Sequence, residues 1–205
     1  MKRWLSFFFL VVVILILGAC GANTDDGTDS EKNSENPSLS GKENEGNTRD
    51  EVVPISVELK NGKGEKVGSV DLEQHLSGVV INIKASNLSP GKHGFHIHEK
   101  GVCEEPDFES AGGHFNPTDA SHGTEHEDGP HAGDLQNLEV EKDGTVQAEV
   151  TNDMVTLKSG EENSLISSDG TSLIIHKERD DYQSQPSGDA GDRVACGVIS
   201  EGEGS

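Results

Sequence analysis

Positive charge is scarce in this chain. Lys and Arg number 16 against 38 Asp and Glu over 205 residues, a formal net charge of −22. Such a balance argues against nucleic acid or an anionic membrane surface as a partner. Aromatic residues make up only 4%, against 25 glycines. No long segment repeats its apolar residues with a helical period, which excludes a helical bundle. Long apolar runs are absent with one exception, residues 4–17 (WLSFFFLVVVILIL). Cysteine is limited to Cys20, Cys103 and Cys196.

The single apolar run follows Lys2 and Arg3 and ends in small residues, Gly18 and Ala19. It reads as a secretory signal and is short for a membrane-spanning helix. Leu17-Gly18-Ala19-Cys20 matches a bacterial lipobox, in which the chain is cut before the cysteine and the thiol is lipidated. Residues 21–51 are rich in Asn, Ser, Gly, Asp and Glu, with one leucine, Leu39. They cannot bury enough apolar surface to offset the entropy of ordering. The expected organisation is a signal peptide at 1–19, a lipidated Cys20 heading an acidic tether over 20–51, and one domain over 52–205. The location is extracytoplasmic, on the outer face of the cell membrane or the periplasmic side of an envelope membrane. The tether is expected to hold much of the acidity. If Cys20 is lipidated, Cys103 and Cys196 remain to form one disulfide in an exported domain.

In the domain the apolar pattern has a period of two. Ile55, Val57 and Leu59 alternate with polar neighbours, as do Val79, Ile81 and Ile83, and Val146, Ala148 and Val150. This places one face on a core and the other in water. Asn61-Gly62-Lys63-Gly64, Ser89-Pro90-Gly91 and Asp143-Gly144 supply turns between the runs. The pattern predicts an all-β sandwich or barrel with strands over 54–60, 65–73, 77–87, 92–98, 135–141, 145–151, 172–176 and 193–199. Two stretches stand apart as long loops, Gly101 to Gly133 and Lys177 to Asp192. Loops of that size need an anchor or a function.

The first loop and its flanks hold the chemistry. His96 and His98 lie two apart in a strand, so both rings face one side. His114, His122, His131 and Asp134 follow at intervals of eight, nine and three. Histidine nitrogens with one carboxylate oxygen suit a tetrahedral zinc ion that would pin the loop.

His93 to Glu99, Gly113 to Pro117, His131 to Leu135 and Arg193 to Gly197 resemble the signature segments of the copper/zinc superoxide dismutase family. The resemblance runs from about Val52 to Ile199. It implies an eight-stranded Greek-key β-barrel of immunoglobulin-like sandwich architecture carrying two long functional loops. It implies copper bound by His96, His98, His114 and His176, and zinc bound by His114, His122, His131 and Asp134, with the His114 ring shared. Asp180 resembles the carboxylate that links His96 to His122, with Asp181 a competing assignment. Cys103 and Cys196 match the family disulfide. Arg193 matches the arginine beside copper that draws in the substrate anion, and His114 and Arg193 are the residues implied in catalysis. His93 resembles a buried structural histidine, while His75 and His126 have no counterpart. The implied reaction converts two superoxide anions and two protons to dioxygen and hydrogen peroxide by Cu(II)/Cu(I) cycling. The family contains dimers and monomers, so a homodimer and a monomer both stay open. Two other functions use the same cluster: a non-enzymatic copper buffer or chaperone, and a structural β-domain whose zinc only holds a loop.

Overall fold

The computed structural model describes residues 54–200. The proposed signal peptide and the whole of the tether, Cys20 included, lie outside the described residues. Among the described residues nine strands form: β1 Ile55–Asn61, β2 Lys66–His75, β3 Gly78–Ala85, β4 Gly91–His93, β5 Phe95–His98, β6 Leu138–Val140, β7 Val146–Asn152, β8 Thr171–His176 and β9 Arg193–Ile199. The helical content among the described residues is a single 3-10 turn, Glu109–Ala111. No helix of the described residues is long and apolar enough to cross a membrane.

Seven strands make one antiparallel sheet in the order β5-β8-β9-β1-β2-β3-β7, and β4 pairs with β6. The alternation seen in the sequence sets the register. Val57 faces Val70, Val70 faces Ile83, and Ile81 faces Val150. These side chains join Leu59, Leu72, Phe95, Ile97, Leu173 and Ile175 in one core. A fully buried side chain of this size contributes roughly 1.5–3 kcal/mol relative to exposure.

All eight expected strands are present, and the fourth is divided. Residues 92–98 read as one strand, but Gly94 separates β4 from β5 and sends them to different partners. Gly94 N–H donates to the Glu178 carbonyl and its own carbonyl accepts from His176 N–H, both at 2.8 Å. A Cβ at Gly94 would lie 2.9 Å from the Ala190 Cβ and 3.3 Å from the His96 ring, so the corner requires glycine. A third long connection, 153–170, also emerges between β7 and β8. It is anchored by its own buried residues, Val155, Leu157 and Leu165.

Strands β5 and β8 are buried along their whole length. On β5, Phe95 and Ile97 belong to the core, while His96 and His98 alternate with them and so face the other side. That other side is covered by the loop 101–133.

Candidate metal centre

The edge of β5 draws the histidine loop into place. Ile97 N–H donates to the Gly133 carbonyl at 2.9 Å, and Phe115 N–H donates to the Ile97 carbonyl at 2.8 Å. Glu99 N–H donates to the Gly113 carbonyl at 2.9 Å. These bonds satisfy an otherwise open strand edge. They also form bridges that set His114 opposite His98 and Asp134 opposite His96. Gly133 allows the approach, since a Cβ there would meet the Ile97 carbonyl oxygen at 2.3 Å.

Two four-residue sets converge and share His114. One donor atom from each of His96, His98, His114 and His176 lies within 4.8 Å of the others, and the same holds for His114, His122, His131 and Asp134. The His96 and His114 ring centroids are 4.0 Å apart, and those of His114 and His122 are 5.1 Å apart.

In the first set each ring is held from behind by one nitrogen. His98 Nδ1 donates to the Gly112 carbonyl at 3.0 Å, and His176 Nδ1 to the Gly191 carbonyl at 3.1 Å. His96 Nε2 donates to Asp180 Oδ2 at 2.7 Å, and His114 Nδ1 to Asp134 Oδ1 at 2.7 Å. The opposite nitrogens, His96 Nδ1, His98 Nε2, His114 Nε2 and His176 Nε2, are buried and have no hydrogen-bond partner. Leaving a buried polar atom unpaired costs roughly 1–3 kcal/mol. Four such lone pairs meeting at one place are the donor set of an imidazole-bound transition metal. Burial first, and the charges of neighbouring rings with it, keep His98, His176 and His114 neutral, in His114 against the pull of Asp134. His98 is pushed down to about 2, His176 to about 3 and His114 to about 4. Neutral nitrogens are what a metal needs.

Asp134 organises the second set. Its Oδ1 accepts from His114 Nδ1 at 2.7 Å and His122 Nδ1 at 3.0 Å, and its Oδ2 accepts from Gly123 N–H at 2.8 Å and His131 N–H at 3.0 Å. His131 Nδ1 lies 3.3 Å from Oδ1, outside hydrogen-bond geometry, and counts as unpartnered. Burial opposes charge on Asp134, but the three histidines and the Gly123 N–H outweigh it and hold the carboxyl far below its usual range. Burial likewise opposes charge on His122, yet its bonds to Asp134 and Asp180 raise it to about 9. Three imidazoles and one carboxylate fit a closed zinc site.

His96, His122 and Asp180 also lie together. Here the facing atoms are paired with one another: Asp180 Oδ1 accepts from His122 Nε2 at 3.0 Å and Oδ2 from His96 Nε2 at 2.7 Å. Asp180 therefore links one ring of each set and is not a third ion site. Its competitor Asp181 instead caps a turn, accepting from Gln183 N–H and Ser184 N–H at 2.9 and 2.8 Å.

Arg193 stands beside the first set because of a bulge. Ile175 pairs with Ala195, but His176 pairs with Arg193, so Val194 is the extra residue. The guanidinium donates to the Phe108 carbonyl at 2.5 Å and to the Gly112 carbonyl at 2.7 Å, the same carbonyl that holds His98. Cys103 and Cys196 are bonded, with Cα atoms 5.8 Å apart, and tie the loop to β9 under Phe108, Ala111 and Ile174. His93 is buried, with its ring nitrogens bonded to the His176 and Ser89 carbonyls, and it belongs to neither set. His75 and His126 join neither set.

The family model for copper/zinc superoxide dismutase (SODC) matches residues 66–199, well over half of the sequence. The chain belongs to the copper/zinc superoxide dismutase family. Among its relatives is Cu-Zn superoxide dismutase 1 of Aquifex aeolicus, 51% identical over 143 residues, covering 69% of this chain and 85% of that protein. The extracellular Cu-Zn superoxide dismutase of Caenorhabditis elegans is 40% identical over 141 residues, covering 66% of this chain and 61% of that one. A double mutant of a SOD-like protein from Bacillus subtilis has a solved structure that superposes with a TM-score of 0.70 at 45% identity, covering 71% of this chain and 96% of that one. The family uses copper and zinc, and the two donor sets of this chain fit both ions.

Sequence reasoning missed Gln185, which holds the His122 backbone, Asn137, which holds the Asp180 backbone, and Tyr182, whose hydroxyl accepts from Asn137 N–H. Asn137, Gln185 and Tyr182 are polar loop residues with no periodicity or spacing to mark them.

Proposed function

We propose that the chain is a superoxide dismutase that binds copper through His96, His98, His114 and His176 and zinc through His114, His122, His131 and Asp134. The observation that carries this reading is the pair of donor sets sharing one ring, with four unpartnered nitrogens turned to a common point. Two superoxide anions and two protons give dioxygen and hydrogen peroxide. Bound copper supplies the one-electron chemistry, alternating between Cu(II) and Cu(I), and zinc supplies charge without redox change.

The chain's own residues do the rest. Arg193 offers a half-buried cation next to His98 and His176, where an anion approaching the open side is attracted. His114 is the proton carrier: Nε2 holds a proton in one half of the cycle and gives it to the departing peroxide in the other. Asp180 fixes the rings of His96 and His122 so that each presents the correct nitrogen. The lipobox cysteine, Cys20, anchors the protein at a membrane outside the cytoplasm, and residues 20–51 tether the domain 52–205. An extracellular relative supports the location.

The test is cyanide-sensitive dismutation by the full chain loaded with both metals. Uptake of one copper and one zinc without acceleration of dismutation would instead support a metal buffer. Zinc uptake without copper would support a purely structural site.

A further inference from the structure

The two long loops grip each other through the backbones of two site residues, and one of these grips comes from a side chain with no role so far. Gln185 Oε1 accepts from His122 N–H at 2.9 Å, and Gln185 Nε2 donates to the His122 carbonyl at 2.9 Å. The amide thus pairs with His122 as a neighbouring strand would. Asn137 does the same in the opposite direction. Its Nδ2 donates to the Asp180 carbonyl and its Oδ1 accepts from Asp180 N–H, each at 2.8 Å. Between the two clasps runs the bond from His122 Nε2 to Asp180 Oδ1.

Gln185 is presented by a closed ring of chain. Asp181 caps the turn through Gln183 N–H, Ser184 N–H and the Ser184 hydroxyl. Asp181 N–H then donates to the Gly188 carbonyl at 2.9 Å, and Gly188 N–H to the Ser184 carbonyl at 2.7 Å. Gly188 backs the His122–Asp180 bond so closely that a Cβ there would meet Asp180 Oδ1 at 1.9 Å. The ring has little freedom to withdraw Gln185, so the amide arrives at His122 pre-ordered.

We infer that Gln185 is a positioning residue for His122, and that through it the loop 177–192 controls how firmly the second donor set retains zinc. The inference rests on the zinc assignment made above. His122 is reached from that loop in two independent ways, by Asp180 on the ring and by Gln185 on the backbone. With both in place the main chain and the imidazole are fixed, and Nδ1 has one orientation. Without Gln185 the ring keeps its carboxylate partner, but the backbone that carries it is free to shift. Outer partners of metal-binding histidines typically account for a 10- to 100-fold change in affinity. Gln185 is exposed, so the lower end applies.

A neighbouring bond provides the control. Gln183 Nε2 donates to Glu125 Oε2 at 2.6 Å, joining the same two loops without touching His122. Zinc release from the metal-loaded full chain to a chromogenic chelator should be roughly tenfold faster in Gln185→Ala and near normal in Gln183→Ala. In proton NMR of the zinc-loaded chain, the His122 Nε2–H signal should exchange faster with water in Gln185→Ala only. Gln185→Glu keeps the acceptor and loses the donor, and should fall between. Equal release rates in Gln185→Ala and the parent chain, or equal acceleration in both alanine variants, would overturn the inference. His122→Ala separates its failure from that of the zinc site. If that variant still binds zinc as tightly as the parent, the site assignment itself is wrong.

Discussion

Removing the Cys103–Cys196 bond tests how far the loop 101–133 depends on a covalent tie. The bond closes 93 residues. In the chain-entropy account, opening a loop of that length costs about 4.7 kcal/mol at 25 °C. A domain of ordinary stability has about 5–15 kcal/mol in all, so the loss is a third or more of the whole. Cys196 is also buried with Phe108, Ala111 and Ile174, so Cys103→Ala/Cys196→Ala trims a packed cluster as well. Urea unfolding of metal-free chains is the assay. With a denaturant slope of about 1–3 kcal/mol/M, the midpoint should fall by roughly 1.5 M or more. A second consequence is local. Phe108 and Gly112, whose carbonyls hold Arg193, lie in the segment that the bond pins to β9. The folded, metal-loaded double variant should therefore dismutate more slowly. A midpoint shift below about 0.5 M would refute the entropic reasoning, and an unchanged rate would refute the link to Arg193.

Other outcomes follow from the same geometry. Asp180→Ala leaves the His96 and His122 N–H groups without their acceptor, and should weaken zinc affinity about 10- to 100-fold by equilibrium titration. Arg193→Ala should slow dismutation and flatten its dependence on salt while metal analysis still finds both ions. Unchanged kinetics would remove Arg193 from the mechanism. In the metal-free chain, folded His98, His114 and His176 titrate at about 2, 4 and 3 rather than near 6.5. Their folded values lie below the unfolded one, so unfolded rings take up protons first as pH falls. Stability should drop from pH 6.5 downward by at most ~1.4 kcal/mol per pH unit for each ring. His122, raised to about 9, has the opposite sign: its contribution is intact below 6.5 and lost as pH rises through 9. Urea midpoints at pH 7 and 5 check the first part, and a higher midpoint at pH 5 would contradict it.

The strands were legible because alternation is a local property. Val57, Leu59, Ile81 and Ile83 announce their face within a few residues. The corner at Gly94 was not, because glycine there answers to Ala190 and His96, one of them distant in sequence. The connection 153–170 is not marked in the sequence because its anchors are too few: Val155 and Leu157 lie two apart and Leu165 stands alone eight residues further on. Among site residues, histidines and Asp134 stood out by type and interval. The choice of Asp180 over Asp181 is decided by the bonds each makes. Asn137 and Gln185 work by pairing with backbone, and any polar loop residue looks capable of that in a sequence.

The charge of the domain poses the remaining physical question. The tether does not hold most of the acidity: residues 54–200 carry 11 Lys and Arg against 27 Asp and Glu, which is 16 of the 22 net negative charges. An anionic substrate therefore approaches a repulsive body. At physiological salt the screening length is about 8 Å, so only charges close to the mouth of the site act strongly. Among the described residues Arg193 forms no ion pair; its guanidinium is held by two backbone carbonyls instead. A carbonyl orients a cation without cancelling its charge, whereas a carboxylate would do both. The Gly112 carbonyl holds Arg193 and His98 together, so the guanidinium and the imidazole keep a fixed separation. In the proposed function, an acidic surface and a site that draws in an anion are compatible because Arg193 is anchored by main chain and left without an ion pair among the described residues.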